Sequence, residues 1–139
     1  DDSRIFSGSV MVAATSLRLN LYDNQRSNVI ASIMSNDWYK SKSRTYQVTS
    51  ADNTHLNILI GKIVDSTINK GLGHLLMDGQ CELVNYSKDV LVMKFSGLSA
   101  EYMKMSSQDK WQKIEGYIVV KNPDYQFLDI DEKSFSYFN

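Results

Sequence analysis

The most reactive pairing the sequence offers is a thiol with an imidazole, Cys81 with His74 or His55. A nucleophilic cysteine needs its thiolate stabilised by a nearby histidine or a helix N-terminus. Cys81 falls instead in an expected strand just after Asp78-Gly79, where cysteine packs as a small apolar residue. The same histidines could hold a metal with Asp78 or Asp52. Zinc asks for three or four convergent ligands at short spacings, and neither histidine has a histidine or cysteine two to four residues on. No metal site and no cofactor are expected. Asp129, Asp131 and Glu132, with Asp124 nearby, resemble the oxygen-rich runs that bind calcium. A calcium loop would also need a glycine at its sixth position and later carboxylates, so a solvated rim is the plainer reading.

Gly71-Leu72-Gly73 brings two flexible amides together. A dinucleotide fingerprint needs a third glycine and a helix after it, whereas these glycines are expected to end a helix. Asn85-Tyr86-Ser87 matches a glycosylation sequon, which matters only in a eukaryotic secreted protein. No serine-elbow, phosphate-loop or His-Glu-x-x-His sequence is present. The best candidate for a polar interaction site is Trp38, Tyr39, Lys40, Lys42, Arg44 and Tyr46. Cations alternating with serines beside aromatic rings suit an anionic partner. The plainer reading of the same cations is protection of a sheet edge from pairing with other chains.

The elements expected to position these groups are mostly strands. Leu17, Leu19 and Leu21 alternate with polar residues at the period of a half-buried strand, and Ile5–Tyr22 reads as extended. Val29, Ile30, Ile33, Met34 and Trp38 follow helical spacing, with Ser27 as N-cap, although Val29–Met34 also fits a buried strand. The clearest helical pattern runs over Thr54–Lys70, where Leu56, Leu59, Ile60, Ile63, Thr67 and Ile68 share one face. It would be capped by Asp52, Asn53 or Thr54 and ended by Gly71. Leu56, Ile58 and Ile60 also alternate, and Gly61 weakens a helix by up to about 1 kcal/mol. Arg44–Thr49 reads as a short strand. From Leu75 to Ile130 an antiparallel meander is expected. Its turns fall at Asp78-Gly79, Ser87-Lys88-Asp89 and Lys121-Asn122-Pro123-Asp124, and Leu98–Met105 is strand or short helix. Phe135–Phe138 is aromatic without a pattern.

These elements sum to an α+β fold, an antiparallel sheet of about five to seven strands packed against one or two helices. The 139 residues, 42% hydrophobic and 22% charged, suit a single compact domain over 1–139 with a core large enough to need no crosslink. One cysteine excludes an intramolecular disulfide. The formal net charge of −1 lacks the basic surplus that phosphate binding draws on, so no nucleic acid is expected. No apolar run approaches the ~18–20 residues that span a bilayer. The start at Asp1 suits removal of an export leader, as it does a cloning boundary, and favours a periplasmic or secreted location.

No motif assigns a reaction. The expected function is a non-enzymatic protein-binding domain, an inhibitor, immunity-type or assembly accessory protein whose partner is another protein. Its 8 tyrosines and 2 tryptophans suit an interface. The alternatives are a carrier of a small apolar ligand between sheet and helix, and an enzyme with a dispersed site around His74 or Asp129–Glu132.

Overall fold

The computed structural model describes residues 7–23, 27–36, 38–40, 45–48, 55–65, 67 and 70–134. Nine strands follow one another: β1 (Ser7–Ala13), β2 (Ser16–Tyr22), β3 (Asn28–Met34), β4 (Thr45–Gln47), β5 (His55–Asp65), β6 (Lys70–Tyr86), β7 (Val90–Glu101), β8 (Gln112–Lys121) and β9 (Asp124–Phe127). They form one mixed sheet in the order β8-β7-β6-β5-β3-β2-β1-β9, with β4 added on β6. Among the described residues the only helical pieces are three-residue 3-10 turns, and no helix is long and apolar enough to cross a membrane. The α+β expectation is therefore overturned: the described residues hold no helix layer, and the strands exceed the expected five to seven.

Both expected helices are strands. Within the Thr54–Lys70 range lies β5, His55–Asp65, and Val29–Met34 belongs to β3. The two strands pair antiparallel, with Ala31 opposite Ile58 and Ile33 opposite Leu56. Leu56 and Ile60 satisfy both a period of two and a period of 3.6, so they do not discriminate. Ile58 does, because it is 1% exposed at a position the helical face would turn outward. The β-branched Ile58, Ile60, Ile63 and Val64 also favour extended backbone. Gly61 fits a strand for a steric reason, since a Cβ there would overlap the side-chain oxygen of Asn28. Asp52, Asn53 and Thr54, the expected caps, lie outside the described residues, as do Phe135–Phe138. Ser27, the other expected cap, precedes a strand; its N–H donates to the Asp23 carboxylate at 2.8 Å.

Asp78-Gly79 is not a hairpin turn. It lies inside the 17-residue β6, next to a register shift between Leu76 and Asp78. Gly71-Leu72-Gly73, expected as a helix stop, belongs to the same strand. The Ser87–Asp89 turn does join β6 to β7, and the Ser87 hydroxyl accepts the Val90 N–H at 3.2 Å.

β9 runs parallel to β1, pairing Ser9 with Asp124 and Val12 with Phe127, so the sheet is not purely antiparallel. Only Asn122 and Pro123 separate β8 from β9. Three Cα steps span at most ~11 Å, so the two ends of the strand order meet and the sheet coils into a barrel. Asn122 makes this corner with φ 49, a left-handed conformation that asparagine tolerates. Its N–H donates to the Asp89 carbonyl at 2.7 Å, and the Tyr125 hydroxyl donates to the Ser87 carbonyl at 2.8 Å.

The inner face is apolar through most of the barrel. Val10, Leu17, Leu19, Ile33, Leu56, Leu83, Leu91 and Met93 are all at 0–1% exposure. Each such side chain contributes roughly 1.5–3 kcal/mol on burial.

Candidate docking face

The aromatic half of the basic–aromatic patch is interior. Trp38 and Tyr39 sit in a 3-10 turn, Trp38–Lys40, and are 0% and 7% exposed. The Trp38 indole N–H donates to the Ala13 carbonyl at 2.8 Å, and its ring meets Tyr39 and Tyr86 at 5.9 and 5.5 Å between centroids. The Tyr86 hydroxyl donates to the Tyr39 carbonyl. These rings close the end of the barrel where β1 turns into β2. Tyr46 pairs with Cys81 across β4 and β6 and is buried, its hydroxyl without a hydrogen-bond partner among the described residues. Lys40 is exposed, its ammonium 5.4 Å from the Tyr39 ring centroid. Lys42 and Arg44 lie outside the described residues.

Cys81 is fully buried. Loss of water pushes its thiol up to about 12 from 9.0, with Glu82 adding to the rise. Burial raises Tyr46 in the same direction, Cys81 adding to it. His74 is seven residues back along β6, roughly 20 Å at the rise of a strand, so this thiol and imidazole do not meet. Because the folded pKa of Cys81 lies above the unfolded one, its contribution to stability is intact below about pH 9 and is lost as pH rises towards 12. We expect the urea midpoint of the wild type to fall more steeply across that window than that of Cys81→Ala. Native protein at pH 8 is expected to resist a thiol reagent that reacts at once in urea. Equal slopes and rapid native labelling would contradict the buried placement.

The carboxylate run is structural in part. Asp129 accepts the Ala14 N–H at 2.8 Å, and Asp131 accepts the Lys133 N–H at 3.0 Å. His74 lies at the opposite end of the barrel, since its row runs through Ile60, Val29 and Leu21 to Gly8. The two alternative centres for a dispersed site thus stand at opposite ends of the barrel. Among the described residues no group of three or more His, Cys, Asp or Glu side chains is placed to hold a metal. The side chain of His55, and Asp52, lie outside those described. The carrier reading loses the helix that was to form one wall.

Two separate hollows instead lie at the end of the barrel formed by β5, β6 and the chain after β7. The first is an open trough of about 360 Å³ along β5 and β6. Gly61 and Gly73 face each other across these strands, and with Gly71 they leave its floor without side chains. Leu59, Leu72 and Tyr102 supply apolar walls, with Asn28 and Lys62 also at its border. Tyr102 and the next residue along the chain, Met103, are 70% and 89% exposed. They belong to the 3-10 turn Tyr102–Lys104, which a further turn and Trp111 hold in place. Ser107 N–H donates to Lys104 carbonyl, Lys110 N–H to Ser107 carbonyl, and the Trp111 indole to Met105 carbonyl at 3.2 Å. The exposed pair is thus carried on a hydrogen-bonded scaffold.

The second hollow, about 20 Å³, is lined by His74, Ser99, Glu101, Lys104, Lys110 and Gln112. Directly opposed residues share a face of a sheet. His74 is opposite both Ile60 and Glu101, and Ser99 is opposite both Leu76 and Gln112. Ile60 packs on the core and Leu76 is buried, so this is where the inner face turns polar, at the barrel mouth. Glu101 is paired with Lys104 at 3.0 Å.

Sequence reasoning missed Tyr102, Met103, Lys104 and Lys110. The available signal was the loss of alternation after Leu98, where Tyr102-Met103 places two large apolar side chains in a segment with no period to bury them. No protein-family model, curated protein or solved structure matches this chain.

Proposed function

We propose that the chain is a non-enzymatic protein-binding domain that docks its partner on the face formed by β5, β6 and the Tyr102–Lys104 turn. The observation that carries this reading is the exposure of Tyr102 and Met103 beside an apolar trough floored by glycine. Aromatic residues and methionine are enriched at interface cores, and methionine adapts to varied partners. A segment already held by its own hydrogen bonds loses little conformational freedom on binding. Lys104 and Lys110 at the rim complement an acidic partner surface.

The test places a photo-crosslinking residue at Met103 and, as control, at Lys121, the far end of β8 from Gln112. A specific, stoichiometric partner is expected to crosslink from Met103 alone. The double variant Tyr102→Ser, Met103→Ser is expected to weaken capture of that partner by at least about 30-fold, each lost anchor being worth about 1–2 kcal/mol, with an unchanged urea midpoint. Equal capture by the variant would refute the docking face.

A further inference from the structure

We infer that the polar mouth beside this face is a receptor for a single carboxylate, presented by an aspartate or glutamate side chain of the protein partner. The inference rests on the docking reading above and names the chemistry that fixes the partner there. Ser99 is only 6% exposed, yet its inward side chain has no hydrogen-bond partner among the described residues. His74, Lys110 and Gln112 likewise make no side-chain hydrogen bond to a described residue. Four polar side chains thus converge on one hollow with their donors unspent. The Ser99 hydroxyl still reaches solvent at the mouth, and Lys110 and Gln112 are exposed, so all are open to a group that arrives from outside.

The donor set selects the ligand. Lysine ammonium groups and the glutamine amide donate, and the serine hydroxyl and imidazole each have an N–H or O–H to give. Two lysines face one carboxylate, Glu101, which already holds Lys104. Lys110 is therefore the cation left to pair with an incoming anion. The hollow of about 20 Å³ admits a group of water size, matching the oxygens of one carboxylate better than a tetrahedral phosphate. Glu101 of this hollow is followed along the chain by the exposed Tyr102, which takes the apolar part of the same segment. The partner feature implied is an acidic residue flanked by a large apolar one.

The test titrates the full chain, labelled with ¹⁵N, with N-acetyl-glutamate amide, N-acetyl-glutamine amide and inorganic phosphate in turn. The glutamate probe is expected to shift the resonances of His74, Ser99 and Gln112, more weakly as salt is raised. The neutral glutamine probe is expected to leave them in place. Lys110→Met is expected to weaken the glutamate response about tenfold, the effect of one charge-assisted hydrogen bond, while Lys88→Met at the distant β6–β7 turn changes nothing. No response to glutamate, an equal response to glutamine, tighter binding of phosphate, or indifference to Lys110→Met would each overturn the carboxylate assignment. The probes do not need Tyr102 or Met103. Failure here with partner capture intact would sink this inference alone, and the reverse result would sink the docking face alone.

Discussion

Gly97→Ala and Gly79→Ala are each expected to destabilise the protein by about 3–5 kcal/mol, enough to remove much of the stability of a domain this size. The two glycines face each other across β6 and β7, with φ of 134 at Gly79 and 153 at Gly97. L-residues rarely adopt that backbone. Space is lacking as well: a Cβ on Gly79 would overlap the Ser96 carbonyl oxygen and lie 2.7 Å from the Gly97 Cα. A Cβ on Gly97 would overlap the Asp78 carbonyl in the same way. Backbone, not a flexible side-chain tip, is what would have to move. The close approach serves the fold. Here β6 leaves β5, with which it pairs over Lys70–Leu75, and takes β4 over Gln80–Glu82, so the sheet coils sharply. Gly73→Ala is the control: its Cβ would meet only Leu59 Cδ1 at 3.9 Å, and a change within about 1 kcal/mol is expected. Urea unfolding followed by circular dichroism measures all three. Equal midpoints for Gly73→Ala and Gly97→Ala would show that the crossing is not tight.

The same crossing explains one error of sequence reading. Asp-Gly marks a hairpin because the turn needs a glycine at positive φ. A close crossing of two strands needs the same glycine, and a sequence does not say which constraint applies. The helical readings of β3 and β5 failed for a related reason. Isoleucines and leucines dense enough to fill a barrel satisfy several periods at once, and only pairing between β3 and β5, a long-range fact, selects one. Where the pattern was sparse, as in Leu17, Leu19 and Leu21 against Arg18, Asn20 and Tyr22, the strand and its buried face were legible. The parallel β1–β9 pair was not, because Pro123 signals a turn but not which edge the chain then joins.

The candidate site was legible only in part. His74 was noted as a possible reactive group, but its companions come from β7, β8 and the turns after Glu101, and only the register of the β6–β7–β8 pairing brings them to one place. The Trp38–Tyr46 segment drew attention because aromatics beside lysines resemble a binding patch. Composition alone does not separate an aromatic plug from an aromatic hot spot, since both use the same residues. Exposure separates them. Trp38 is at 0% and Met103 at 89%.

Trp38→Ala is accordingly expected to act on folding rather than on binding. Truncating a buried tryptophan costs about 3–5 kcal/mol through lost contacts and the cavity left behind. The indole also donates to the Ala13 carbonyl, in the turn that joins β1 to β2, and loss of that donor leaves a buried acceptor unpaired at a further ~1 kcal/mol or more. Trp38→Phe keeps a ring against Tyr39 and Tyr86 while removing only the donor and part of the volume, so a smaller loss of about 2 kcal/mol is expected. Lys40→Ala, exposed on the same turn, is expected to change the midpoint by less than about 0.5 kcal/mol. The decisive comparison sets these against Tyr102→Ser, Met103→Ser in one urea series and one capture assay. Trp38→Ala should lower the midpoint and lose capture only in proportion to the unfolded fraction, whereas the double variant should lose capture at an unchanged midpoint. A Trp38→Ala protein that unfolds like the wild type yet no longer captures the partner would reverse the assignment. It would place the indole on the binding surface and the plug of the barrel elsewhere.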